Sequence, residues 1–432
     1  MFLHGFITAS YGKTRYPSSF GSVHIILGIK FQNIGRFSKR GDPSSFGRRS
    51  RTPGVKRRRL LARVAAGASG VAASLAHPAS GLTHSQAGLT RTARRRADAS
   101  ASERDSGATH DSQANTYQNP VYDQIFPDPD VLRVGGTYYA YGTYHPWTEG
   151  EGPDRELIPV LRSPDLVHWE SVGPAFREVP DWSRYRGLWA PGVGQLDDRF
   201  LLYYSDSEFG SDDPGIGVAT ASDPEGPFEP RGGLFRSDEI GVPNSIDPAL
   251  FVRDGTPYLF WGSHRGIYGI RLAEDGLSTA VSPSEKFQIA GRGVEAAYVV
   301  ERGNYFYFFG SRGTCCEGAT STYRVVVGRA EEFRGPYRNR DGEPLTAEGA
   351  TGTTVLEGDD RFLAPGHCAV TRDDSGEWWL VYHAYEAGNP WVGDTPRRVL
   401  MLDRIEWENG WPAVGDGTPS EQGRGPAVGG AT

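Results

Sequence analysis

One pattern returns five times between residues 128 and 384, and it constrains the fold more than any other feature. Each copy has a polar or small residue near Pro or Gly, an apolar run, a tight turn, and a run of aromatic and β-branched residues. The copies open at Asp128 (DPDVLRVGGTYYAYGT), Trp189 (WAPGVGQLDDRFLLYYSD), Asp247 (DPALFVRDGTPYLFWGS), Glu295 (EAAYVVERGNYFYFFGS) and His367 (HCAVTRDDSGEWWLVYHA). The turns fall at Gly135-Gly136, Asp197-Asp198, Asp254-Gly255, Gly303-Asn304 and Asp373 to Gly376. Several are the dipeptides that a two-residue β-hairpin demands. Each copy is therefore read as an innermost strand hairpinned to a second one. Further strand-like runs, such as 216–221 and 323–329, lie between copies. The openings are 61, 58, 48 and 72 residues apart, room for roughly four short strands per unit, the size of a propeller blade. The expected fold is all-β, a five-bladed β-propeller. A β-sandwich also has short strands at regular spacing, but it needs no similar unit returning five times. The 57 Gly, 30 Pro and 12% aromatic residues suit such a turn-rich chain.

In a propeller the first strand of each blade lines the axis. Asp128, Trp189, Asp247, Glu295 and His367 would then meet at one end of the channel. Alone, each has a plain structural reading: Asp-Pro initiates turns, and a Trp or His is usually core. Five equivalent positions this polar are rarely accidental. Competing constellations are missing: His-Glu-x-x-His, paired Cys-x-x-Cys and Gly-x-Ser-x-Gly do not occur, and Gly12-Lys13-Thr14 lacks the P-loop glycine. Carboxylate-based hydrolysis is what remains.

Charge divides the chain near residue 100. The first hundred residues hold 18 Lys and Arg against 2 Asp and Glu, leaving 28 against 51 for the rest, so the parts carry +16 and −23. The acidic part has one lysine, Lys286. A charge of this sign disfavours nucleic acid and anionic membranes as partners. Its density suggests adaptation to high salt, where screening quenches carboxylate repulsion.

Lys56-Arg57-Arg58-Arg59, then Leu60-Leu61 and an Ala/Gly-rich run over 64–76, read as a twin-arginine-type signal peptide spanning 51–81. The run is too short and too weakly apolar to span a membrane permanently. The only methionines are Met1 and Met401, so 1–50 reads as a doubtful extension with the true start further along, at a valine such as Val55. Residues 82–115 read as a disordered linker, 116–415 as the propeller and 416–432 as a flexible tail. A secreted, monomeric protein is expected. Three cysteines cannot make a disulfide framework. Because a bridge between neighbours is strained, Cys315, Cys316 and Cys368 are expected to be small, buried and unpaired.

Residues 120–415 resemble glycoside hydrolase family 43. The resemblance rests on Asn119-Pro120, Asp128-Pro129-Asp130, Tyr138 to Thr143, Ser163 to Trp169, Trp189-Ala190-Pro191, Ile246-Asp247-Pro248 and Val294-Glu295-Ala296, in that order. It sharpens toward arabinan-cleaving members at Cys315-Cys316 to Tyr323, Val327-Gly328-Arg329, Gly335-Pro336-Tyr337 and Pro365-Gly366-His367. Departures from their pattern are Pro127, Gly192, Ala296-Ala297 and Cys368. The resemblance implies an inverting hydrolase of α-1,5-L-arabinan, with Asp128 as general base, Glu295 as general acid and Asp247 raising and orienting the acid. It also implies a calcium held by His367, largely through waters. Trp189, Trp147 and Arg265 are candidate sugar contacts. An endo-acting arabinanase is the main expectation. An exo-acting α-L-arabinofuranosidase or β-xylosidase is the close rival, with the insertions 147–158 and 207–214 able to block a cleft. A non-catalytic sugar-binding propeller is the rival from another class.

Overall fold

In a computed structural model, residues 115–143 and 157–429 are described. Trp147, and the extension, signal peptide and linker expected before residue 115, lie outside them. Five four-stranded antiparallel sheets follow one another along the chain. Their innermost strands are Asp130–Val134, Leu188–Leu196, Ala249–Arg253, Glu295–Arg302 and Phe362–Arg372. Each packs beside the next, and the fifth packs beside the first, closing a ring. The fold is a five-bladed β-propeller. All five hairpin turns fall between first and second strands, where the sequence puts them. Among the described residues no helix is long and apolar enough to cross a membrane.

Among the described residues every blade interface has its own large core, and a smaller cluster of Tyr323, Ala364 and Tyr385 adds to the one between blades four and five. Val160 and Leu202 meet between blades one and two, Leu201 and Trp261 between two and three, Phe260 and Phe308 between three and four, Phe309 and Tyr382 between four and five, and Leu161 and Trp379 between five and one. The middle strands therefore face a neighbour on both sides, which is why Arg199–Asp206 is almost continuously buried. In the first blade the outermost strand, Glu170–Pro174, is exposed or half-buried along its length. Burying each large side chain contributes on the order of 2–3 kcal/mol. At Gly192 blades two and three nearly touch: a Cβ there would lie 2.1 Å from the Pro248 carbonyl oxygen. Only glycine allows that approach.

The expected flexible tail is not free. Gln422–Arg424 pairs antiparallel with Thr116–Gln118, and the Ala427 N–H donates to Asp373 Oδ2 at 2.9 Å. Asn119 anchors the same region, donating through Nδ2 to Leu402 O and accepting from Leu402 N–H. A Gly/Pro/Ser segment buries little side chain, but its backbone groups still bond to an unpaired strand. Composition reports the first property and not the second.

Candidate active site

The polar residues that open the blades do converge. Asp128, Trp189, Asp247, Glu295 and His367 line one cavity of about 750 Å³, and Arg265 borders it too. The backbone repeat that delivers them differs by one residue from the sequence repeat. Asp128, Ala190, Asp247, Ala296 and His367 share a positive φ, between 43° and 58°. Blades two and four therefore place Ala190 and Ala296 at that turn, with Trp189 and Glu295 one residue earlier. β-Bulges at 189–192 and 295–298 accompany the offset.

A second ring of side chains fixes the first. The N–H groups of Asp128, Ala190, Asp247 and His367 donate to His383 Nδ1, Thr143 Oγ1, Ser205 Oγ and Ser311 Oγ, at 2.8–3.0 Å. Each acceptor lies on the second strand of the preceding blade or just after it, with His383 of blade five serving Asp128 of blade one. Blade three supplies Ser263 at the matching place. Its hydroxyl turns instead to Glu295 Oε2 at 2.5 Å, and the Ala296 N–H goes to Asp247 Oδ2 at 3.2 Å. The Tyr-Gly-Thr, Tyr-Tyr-Ser, Trp-Gly-Ser, Phe-Gly-Ser and Val-Tyr-His ends of the repeats carry this ring in the sequence.

The three carboxylates, each less than a tenth exposed, sit in different fields. Asp128 Oδ1 accepts from Arg398 Nη1 at 2.7 Å, and Oδ2 from Thr143 Oγ1 at 2.6 Å. Burial pushes its pKa up, but Arg398, His367, His383 and Thr143 outweigh burial and hold it well below the ordinary range. Asp247 Oδ2 accepts from the Ala296 N–H; burial, then the charges of Glu295 and Asp128, push its carboxyl well above the ordinary range despite that bond and Arg398. Glu295 would also be raised by burial, but hydrogen bonds from His264, Ser263 and Tyr323 reverse the sign. The two carboxyls are thus pushed in opposite directions, Asp247 up and Glu295 down, because Glu295 has more donors. Sequence reading missed Arg398, Thr143 and His264, whose contacts decide these states.

His367 lies against Asp128, its side chain 13% exposed and its Nδ1 3.4 Å from Oδ1. Burial, then Arg398, lower its pKa despite Asp128 and Glu295, so the imidazole is neutral and able to ligate. Among the described residues no group of three or more His, Cys, Asp or Glu is arranged to hold a metal. The Asp128 oxygens are already taken by Arg398 and Thr143. A protein-oxygen cage for calcium does not fit here; one imidazole with water does.

The cavity has an apolar side. Trp189 packs on Phe209, ring centroids 5.1 Å apart, and Phe209, from the 207–214 insertion, is 82% exposed. Cys315 and Cys316 also border the cavity. Contrary to expectation, they form a disulfide and are only half-buried. Cys368 is buried and free, as expected. Thr314 and Thr322 pinch the loop's neck, and Tyr385 donates to the Cys315 carbonyl. The same loop leads into Tyr323, a donor to Glu295.

Buried carboxylates beside an aromatic wall, in the axial funnel of a propeller, are the equipment of a glycoside hydrolase. Residues 117–412 match the family described as glycosyl hydrolases family 43. The chain belongs to that family. It is 31% identical over 303 residues to the extracellular endo-α-(1→5)-L-arabinanase 1 of Bacillus subtilis, covering 67% of this chain and 88% of that protein. It is also 31% identical over 315 residues to an extracellular exo-α-(1→5)-L-arabinofuranosidase of Cellvibrio japonicus, covering 66% and 85%. Among solved structures, Cellvibrio cellulosa α-L-arabinanase complexed with arabinohexaose aligns with a TM-score of 0.59 at 29% identity, covering 68% of this chain and 96% of that one.

Proposed function

We propose that this chain is an inverting hydrolase of α-1,5-L-arabinan, endo-acting, with Asp128 as base and Glu295 as acid. The observation that carries this is the unequal treatment of two carboxylates in one cavity. Asp128 is pinned ionised by a buried arginine, the state a base needs. Glu295 is paired with a histidine that can bear a proton, so an acid can be loaded. Inversion requires room for a water between two carboxyls about 6.5–9.5 Å apart. Asp128 would take a proton from that water as it attacks the anomeric carbon. Glu295 would protonate the departing oxygen, and the proton on Asp247 limits the negative charge beside it. Trp189, Phe209 and Arg265 would hold the sugars.

The substrate follows from the relatives, which act on α-1,5-linked arabinan by their names. Because one of them is exo-acting at the same identity, exo action is the second reading. The products formed early from linear α-1,5-arabinan separate the two. Mixed short oligosaccharides are the expected result, and arabinose alone would move the enzyme to the exo class.

We also propose export as a monomer, in keeping with the basic, Ala-rich segment and the relatives' extracellular location, and a hydrated calcium at His367. EDTA treatment is expected to lower arabinan turnover and added calcium to restore it; unchanged turnover would remove the ion. The excess of acidic residues predicts higher turnover in multimolar NaCl than in dilute buffer, and full activity without salt would contradict that.

A further inference from the structure

The backbone ties His264 to the acid before any side-chain contact is counted. Its N–H donates to Val294 O at 3.0 Å, and its carbonyl accepts from Gly293 N–H at 3.2 Å. It is thereby fastened to the two residues that precede Glu295. Its φ of 54° is a strained value for a residue other than glycine. From this position Nε2 lies 3.0 Å from Glu295 Oε2, with the imidazole 46% exposed and the Glu295 side chain 9%. One end of the pair meets solvent and the other the buried carboxylate.

We propose that His264 loads the acid: it takes a proton from water and passes it to Glu295 Oε2. This deepens the reading of Glu295 as acid and rests on it. In the resting pair Nε2 carries the proton and Glu295 is a carboxylate. As substrate seats, the Nε2–H bond breaks and Oε2–H forms. Oε2–H then breaks as the glycosidic oxygen takes the proton, and the electron pair of its bond to the anomeric carbon goes to that oxygen. Water bonds to the anomeric carbon and yields its proton to Asp128. After release, neutral His264 regains a proton from solvent and Asp128 gives one up, so each turnover consumes one water. His264 acts through Glu295 and is a positioning residue.

The charged groups around the pair are compatible with this. Ser263 and Tyr323 are neutral donors to Glu295, and Asp247 couples to it from blade three. Asp128, His367 and Arg398 line the same cavity. The hydrogen bond to Glu295 raises the pKa of His264, opposed by burial and by the neighbouring Arg265.

The direction of the pH effect follows from the pair titrating as a unit. A proton shared between two basic sites is lost at a higher pH than one held by the carboxylate beside an uncharged partner. Removing the imidazole must therefore move the alkaline limb of kcat downward. The test is the pH profile of kcat on a linear arabinan oligosaccharide for His264→Asn and His264→Gln. Asn tolerates positive φ and is too short to reach Glu295. In both variants kcat is expected to fall progressively as pH rises, with the alkaline limb displaced down by about one pH unit. Limbs that stay in place in both, with or without a uniform loss of rate, would overturn the proposal. Glu295→Gln under the same conditions separates the two ideas. If it is inactive while the His264 limbs do not move, only the role of His264 fails. If it turns over normally, the acid reading fails.

Discussion

Asp128→Asn is expected to lower kcat about 10²–10⁴-fold, the range set by loss of a general base, while the protein stays folded. The geometry makes the change severe. The carboxylate faces donors on both oxygens, Arg398 on one and Thr143 on the other, and an amide can offer its oxygen to only one of them. The –NH₂ would face the other in place of a charged acceptor, and the 6% exposed Arg398 would lose its counter-charge. A lower Tm is therefore expected as well, since breaking one partner of a buried ion pair is costly. Circular dichroism and a thermal melt beside the kinetics separate lost chemistry from lost fold. A folded variant with near-normal turnover would remove Asp128 from the mechanism.

Glu295→Gln is the second large effect. With arabinan oligosaccharides, whose leaving alkoxide needs a proton, kcat is expected to fall about 10²–10⁴-fold. Glutamine cannot deliver that proton, and its amide would meet Ser263, His264 and Tyr323, which all donate to the native carboxylate. The alkaline limb should disappear, because the group whose deprotonation makes it has gone. A 4-nitrophenyl arabinofuranoside, if accepted, should suffer much less, since nitrophenolate departs without protonation. Equal losses on both substrates would point to a binding or structural role for Glu295. The two substitutions thus fail differently: loss of the base is independent of the leaving group, and loss of the acid is not.

The propeller was legible because its physics repeats. Each blade needs a hairpin turn and a strand buried on both faces, so a tight turn followed by a run of aromatic and β-branched residues returns in every unit, as Asp-Gly before Tyr-Leu-Phe in the third and Gly-Asn before Tyr-Phe-Tyr in the fourth. The cluster at the axis was legible for the same reason. Its register was not: the bulges that follow Trp189 and Glu295 each insert a residue, and nothing in composition marks where a ladder slips. Thr143, Ser205, Ser263, Ser311 and His383 could have been found, because they occupy matching places at the ends of the aromatic runs. Arg398 and His264 could not. Arg398 precedes a third strand and acts 270 residues from its partner. His264 lies in a loop outside the repeated positions. The Cys315–Cys316 bridge depended on a loop neck closed by two threonines eight residues apart. The ordered tail depended on backbone pairing, which side-chain chemistry does not announce.

The proposed reaction is a single displacement by water, activated by Asp128 and assisted by Glu295. Its most direct measurement is the anomeric configuration of the first product, read by ¹H NMR during early hydrolysis of a linear α-1,5-arabinan oligosaccharide. Initial appearance of the β-anomer, followed by mutarotation, is the predicted result. Initial appearance of the α-anomer would mean a covalent intermediate and double displacement, and would contradict the roles given to both carboxylates.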